Sequence, residues 1–304
     1  MPGTFPAGAP VLTGDSLAIS RFLQSPTALQ RRLRDFRDLR FVSDQILTGR
    51  LRSAGGAVLY TMSEPFVTDR TATAVSAGSE YPYANTPTGT AAVAAVQKWG
   101  QKVLLTDEEI ARNVFGATVI DRTLKKVVNT VISQVDSITM SAVQSAAANT
   151  ATLGIWTGGT PKVLNDILAA KSRIVARNLG YIPDTLVLSD AAYVAMMLDT
   201  VISNLWRRET TENPVYTGKV ETVAGLKVLV TPALTTTALV LDSTQLGAMA
   251  DETESAPGYS VADLAVEVKS IRKESQDAWD LQGRRLTVPI VQEPGAAEEI
   301  TGVV

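Results

Sequence analysis

The 304-residue chain has no cysteine and no histidine. Without cysteine there is neither a disulfide framework nor a thiolate metal site. Without histidine, Ser-His-Asp and Cys-His catalysis, imidazole metal sites and the usual general base near neutral pH are excluded. Carboxylates and lysines remain, so a carboxylate-dependent α/β enzyme stays open as one alternative. No uninterrupted apolar run approaches membrane-spanning length, and the start, MPGTFPAGAP, lacks the basic-then-apolar pattern of a signal peptide. A soluble protein made in the cytoplasm, with no membrane partner, is the expectation. Charge of one sign is also scarce, since 28 lysines and arginines face 31 acidic residues. Residues 1–52 nevertheless hold eight arginines against four aspartates, a local excess of about +4.

What is present supports a substantial core of one large or two smaller domains, with 45% hydrophobic residues. SPTALQRRLRDFRDLRF reads as a helix: Ser25 can cap it, Pro26 suits its first position, and Leu29, Leu33 and Phe36 share a face. Its other face carries Arg31, Arg32, Arg34, Arg37 and Arg40. AVLYTM (57–62) and AAVAAVQKWGQKVLLT (91–106) have strand character. Between them, RTATAVSAGSEYPYANTPTGTAAV has no amphipathic period and nothing to bury, the far end of a long hairpin-like excursion.

Thr106 and Glu109 fit a capping box, and a break near Gly116 follows. Ile120, Leu124, Val127, Val131, Val135, Ile138 and Ala142 then recur at spacings of three and four, which predicts one amphipathic helix over 117–146, about 45 Å long. LGIWTGGTP marks a domain boundary. Thr160 and Pro161 open the helix KVLNDILAAKSRIVARN, ended by Gly180; TLVLS is a buried strand, and Ser189 caps DAAYVAMML. After a polar projection, ISNLWRRETTENPVYTGKVETVAG, come the strands LKVLVTPAL and TALVLD. The last third reads as long strands with alternating faces, ending in EPGAAEEITGVV.

The acidic groups TDEE and ADETE lack the spacing of a calcium loop and read as caps and solvated loops. The serines of GDS and LSD have no histidine to activate them, and TGGTP does not continue into a phosphate loop. No catalytic, cofactor-binding or metal-binding residue is assigned.

The order of parts resembles the major capsid protein of tailed bacteriophages, whose fold is shared by encapsulins and the herpesvirus capsid floor. NLGYIPDTLVLSDAAYVAMM is similar to the helix, turn, strand and helix of that family's axial domain. VAGLKVLVTPAL resembles its glycine-then-strand segment, and SIRKESQDAWDLQGRRLTVPIVQEPGAAEEITG its closing strands. The resemblance implies an α+β fold in five parts: an N-terminal arm (1–52), an extended loop (53–105), a peripheral domain with a spine helix (106–150), an axial α/β domain (151–254) and return strands of the peripheral domain (255–304).

It also implies a structural protein rather than an enzyme, with no cofactor. Copies would form hexamers and pentamers of an icosahedral shell around double-stranded phage DNA, in a virion assembled in the host bacterial cytoplasm. A portal, and a separate scaffold or decoration protein, would be its partners. The extended loop would cross a neighbouring subunit through Arg70, Glu80, Tyr81 and Tyr83. Trp206, Arg207, Arg208, Glu209 and Glu212 would form the axial tip, where opposite charges can fix register; a polar loop with one anchoring tryptophan is the alternative. The N-terminal arginines would form an inner basic face for DNA phosphates or a scaffold, unless they are a solvated face paired with Asp35 and Asp38. Some relatives link subunits covalently through a loop lysine, but residues 53–97 contain no lysine, so reinforcement is expected to be noncovalent. The short stretch before the first strand predicts assembly by a separate scaffold or by the arm alone. An encapsulin-like compartment with an enzyme cargo is the runner-up reading.

Overall fold

The computed structural model describes residues 41–304 apart from 54, 113–115, 153, 159–160, 206–219, 253–257 and 262–265. The expected arginine-rich helix at 25–41 therefore falls, but for Phe41, outside the described residues. The chain forms two compact units. One contains Gln97–Gln134 and Asp251–Thr287; the other contains Phe41–Val96, Val135–Ala250 and Val288–Val304.

In the first unit, strand β4 (Gln97–Thr106) runs antiparallel to the early part of β13 (Ala278–Val291), whose other edge pairs with β12 (Glu267–Lys273) and, beyond it, β11 (Ser260–Val261). The capping box forms as the sequence predicts. The Glu109 N–H donates to Thr106 Oγ1 at 3.3 Å and the Thr106 N–H to Glu109 Oε2 at 3.4 Å, starting helix α2 (Asp107–Arg112). Arg272 holds Asp107 through two bonds of 2.6 and 2.7 Å, and this pairing keeps the Asp107 carboxyl below its ordinary range.

After the break comes helix α3 (Gly116–Ala146), the predicted spine. Ile120, Leu124, Val127, Val131 and Val135 are buried as the period requires. Farther along, Ile138 and Ala142 are only half-buried, and the buried arc runs instead through Thr139, Met140 and Val143. Steps of four and of three both approximate a 3.6-residue period, and hydrophobicity favoured Ile138 over Thr139. Thr139 tolerates burial because its hydroxyl donates to the Val135 carbonyl at 2.9 Å.

In the second unit, six strands order as β5 (Ala148–Ala151), β14 (Ala297–Thr301), β9 (Ala238–Leu241), β6 (Thr185–Leu188), β8 (Leu226–Val230) and β7 (Thr222–Val223). Strands β6 and β9 are buried at every residue, as continuous apolar runs predict. Helix α4 (Val163–Ala176) begins after Lys162 with no side-chain cap, and ends before the expected Gly180. Asn178 already takes the left-handed conformation, φ 53°, which asparagine tolerates. Ser189 caps helix α5 (Asp190–Leu198) as expected, accepting the Ala192 N–H at 3.2 Å; α6 (Thr200–Leu205) follows.

The closing segment supplies the interior strand β14. Its buried Glu298 is held by Arg177 at 2.5 Å and by the Thr150 hydroxyl, and Glu299 accepts from Gln144 at 2.7 Å. In the same unit, short helix α1 (Ser43–Ile46) is held at its start by Asp136, which accepts the Val42 and Ser43 N–H groups at 3.3 and 3.0 Å. Burial pushes the Asp136 carboxyl above its ordinary pKa against those hydrogen bonds.

Candidate assembly surface

Strands β2 (Ala57–Met62) and β3 (Thr90–Ala95) form a separate antiparallel ribbon in the second unit, registered from Ala57↔Ala95 to Met62↔Thr90. None of their twelve residues is charged. Leu59 and Val93 are cross-strand partners and are 73% and 68% exposed, so an apolar pair faces outward. An isolated two-stranded ribbon is marginal in water and needs something to pack against.

Beyond the ribbon, residues 63–89 contain no helix or strand. Their root is tied into the unit: the Ser63 N–H donates to the Gln292 carbonyl at 2.9 Å, and the Glu64 N–H to Glu293 Oε1 at 3.1 Å. The other oxygen of Glu293 accepts the Tyr181 hydroxyl at 2.8 Å. Burial and this carboxylate push the Tyr181 phenol up to about 12. Gly89 lets the two legs close, since a Cβ there would lie 2.7 Å from the Met62 carbonyl oxygen.

Farther out the legs are clasped by Asp69 and Asn85. The Asp69 N–H donates to the Asn85 carbonyl at 3.2 Å, while the Asn85 N–H and Nδ2 donate to the Asp69 carboxylate at 2.8 and 3.1 Å. The clasp isolates a tip at 70–84 that contains Arg70, Glu80, Tyr81 and Tyr83, every one of them exposed. Tyr83 is 87% exposed, and neither Arg70 nor Glu80 forms an ion pair among the described residues. Phe66 and Val67 extend the exposed apolar surface below the clasp.

The structure therefore places the four predicted loop residues on one clasped tip. Trp206, Arg207, Arg208, Glu209 and Glu212 lie outside the described residues, as do Arg31, Arg32, Arg34, Arg37 and Arg40. Sequence reasoning missed Leu59, Val93, Phe66, Val67 and the Asp69–Asn85 clasp. The signal for Leu59 and Val93 was available: both lie in strands whose two faces are apolar, which a strand with one solvated face is not. The clasp left none, because two polar residues separated by 16 positions in a coil form no pattern.

A rooted, clasped excursion with apolar and aromatic side chains facing water is the kind of exposed patch that marks a candidate interaction surface. The sequence profile of the family described as phage capsid protein matches residues 89–299, and the chain belongs to that family. Solved structures agree on the fold. A virus-like particle from Pyrococcus furiosus is similar with a TM-score of 0.61 at 12% identity, covering 90% of this chain and 97% of that one. The capsid of cyanophage P-SCSP1u reaches 0.62 at 14% identity over 86% and 87% of the two chains. Microbacterium phage Oxtober96 gives 0.57 at 12% identity over 86% and 90%. No curated protein sequence matches. The α+β fold is that of tailed-phage major capsid proteins, and the protein is a capsid shell protein rather than a member of an enzyme family.

Proposed function

We propose that the chain is the major capsid protein of a tailed phage, which self-associates as pentamers and hexamers into an icosahedral shell enclosing double-stranded DNA. The shell is assembled in the host cytoplasm around a portal, with a separate scaffold or decoration protein as further partners, and becomes the virion capsid. Residues 1–52 act as the arm, 53–105 as the extended loop, 106–150 and 255–304 as the peripheral domain, and 151–254 as the axial domain. Arg70, Glu80, Tyr81 and Tyr83 contact the neighbouring subunit, and the Trp206–Glu212 stretch contacts copies around the capsomer axis.

The observation that carries this reading is the excursion. Its 63–89 segment has no packing reason within one subunit, and long structureless loops are uncommon in compact domains unless they are functional. As a lattice arm its partner surface belongs to another copy. Tyr81 and Tyr83 supply contact area there, and Pro82 and Pro87 limit the entropy lost on docking.

Deleting Thr73–Gly89 leaves ten residues, 63–72, to link the ends of β2 and β3, so the subunit stays soluble and folded by circular dichroism. It forms no stable shells by negative-stain microscopy. Wild-type shell yield from the deletion would sink the proposal.

A second reading, an encapsulin-like compartment, is supported by the virus-like particle, which is as similar in fold as the phage capsids. The contents of purified shells separate the two: nucleic acid favours the first reading, and a protein cargo the second.

A further inference from the structure

We propose that Glu293 is the latch that fixes the direction in which the 63–89 excursion leaves the body of the second unit, with Tyr181 acting through it, and so pre-organises the excursion for docking. The docking rests on the shell reading; the latch is a property of the single subunit. Among the described residues, two hydrogen bonds join 63–89 to the rest of the unit: the Ser63 N–H donates to the Gln292 carbonyl and the Glu64 N–H to Glu293 Oε1. Both donors belong to exposed residues. One of the two acceptors is a side chain, so the seat of the excursion depends on where that side chain is held.

The unit holds it through backbone and side chain alike. The Gln292 and Glu293 N–H groups donate to the Leu246 carbonyl at 2.9 and 3.1 Å, and the Glu293 carbonyl accepts the Ala296 N–H at 3.0 Å. Arg177 donates to the Gly295 and Ala297 carbonyls just beyond. The second carboxylate oxygen accepts the hydroxyl of buried Tyr181, whose ring lies so close to Gly295 that a Cβ on that glycine would stand 3.2 Å from Cε2. With its pKa pushed up to about 12, the hydroxyl keeps its proton and stays a donor. On the excursion's side, Ser63 has φ 53°, a left-handed conformation that a residue other than glycine keeps only where its surroundings hold it. Gly89 of the returning leg closes over the same point, since a Cβ there would lie 3.2 Å from Glu64 N and Cα. Without the carboxylate the Ser63 turn is free to relax, and the excursion must be ordered anew each time Tyr81 and Tyr83 dock.

The test follows amide exchange by NMR in the full-length subunit before assembly, comparing wild type with E293A, E293Q, Y181F and the Y181F/E293A double variant. Ser63 is the deciding amide, because its acceptor is the Gln292 backbone carbonyl, which no variant removes. Loss of a hydrogen bond of ordinary net strength should speed its exchange about tenfold in E293A. Y181F should speed it by a smaller factor and add nothing to E293A, whereas E293Q, whose amide oxygen can still accept the Glu64 N–H, should restore much of the protection. Amides of the interior strand β9 should exchange as in wild type throughout. Acceleration of Glu64 alone in E293A overturns the latch, since the carboxylate then only satisfies one N–H. Acceleration of β9 by the same factor overturns it too, by making the effect global. Y181F removes one oxygen atom and keeps the test decisive if E293A misfolds. Shell assembly is then followed by negative-stain microscopy against protein concentration, and E293A should need several-fold more protein than wild type. Wild-type assembly by an E293A with fast Ser63 exchange would overturn the docking role. A wild type that forms no shells at all would count against the shell reading and leave the exchange result to judge the latch.

Discussion

Asp136 shows how one side chain serves two ends. Its carboxylate accepts the N–H groups of Val42 and Ser43, where the chain enters its first described helix, and all three residues are buried. Truncation in D136A leaves two buried donors unpaired, an expected loss of about 2–4 kcal/mol in urea unfolding. The pH dependence has a defined sign. Desolvation raises the Asp136 pKa in the folded state, so the folded protein binds this proton more readily than the unfolded chain. Its contribution therefore becomes more favourable as pH falls through the raised folded value, and burying the ionised group costs stability above it. Relative to D136N, which does not titrate, the wild type should gain stability as the pH is lowered from neutral. Urea midpoints for both proteins across that range check this, and a wild-type midpoint that falls faster than that of D136N would show the sign to be wrong.

At the scale of elements, helix α3 was legible because its core partners repeat along one helix, whereas the buried glutamates of β14 were not. Nothing local in EPGAAEEITG marks its two adjacent glutamates as buried. Their burial depends on Arg177, more than a hundred residues earlier, and on Gln144, which no local pattern connects to them. The excursion was legible in outline from what its sequence cannot bury, but its clasp was not. The seat of α3 on β13 is equally invisible in one dimension. A Cβ at Gly283 would lie 2.9 Å from Val127 Cγ1, so the glycine is required by the approach of helix to strand. G283A should destabilise the protein by about 1–3 kcal/mol through overpacking. Adding V127A should recover part of that loss, with a coupling of about 0.5–3 kcal/mol between the two positions. Additive losses in urea unfolding would remove Val127 as the cause.

At the scale of the whole molecule, the question is what holds a shell together when its loop carries no reactive amine. Residues 53–97 contain no lysine and the chain contains no cysteine, so neither an amide link from the loop nor a disulfide can join copies there. On the proposed reading the route is noncovalent and multivalent: each excursion presents an uncharged ribbon and an aromatic tip, and each copy would both give and receive one. Individually such contacts are modest, because docking a loop has an entropic cost. Closed into a lattice they act together, since release of one contact leaves the others to hold the subunit in place. Purified shells should therefore resist dilution yet yield only monomer once denatured. Boiling them in detergent without reductant should give a single band at the 32.3 kDa subunit mass. A ladder at multiples of that mass would show a covalent lattice and would move the search for its nucleophile to the lysines outside the loop.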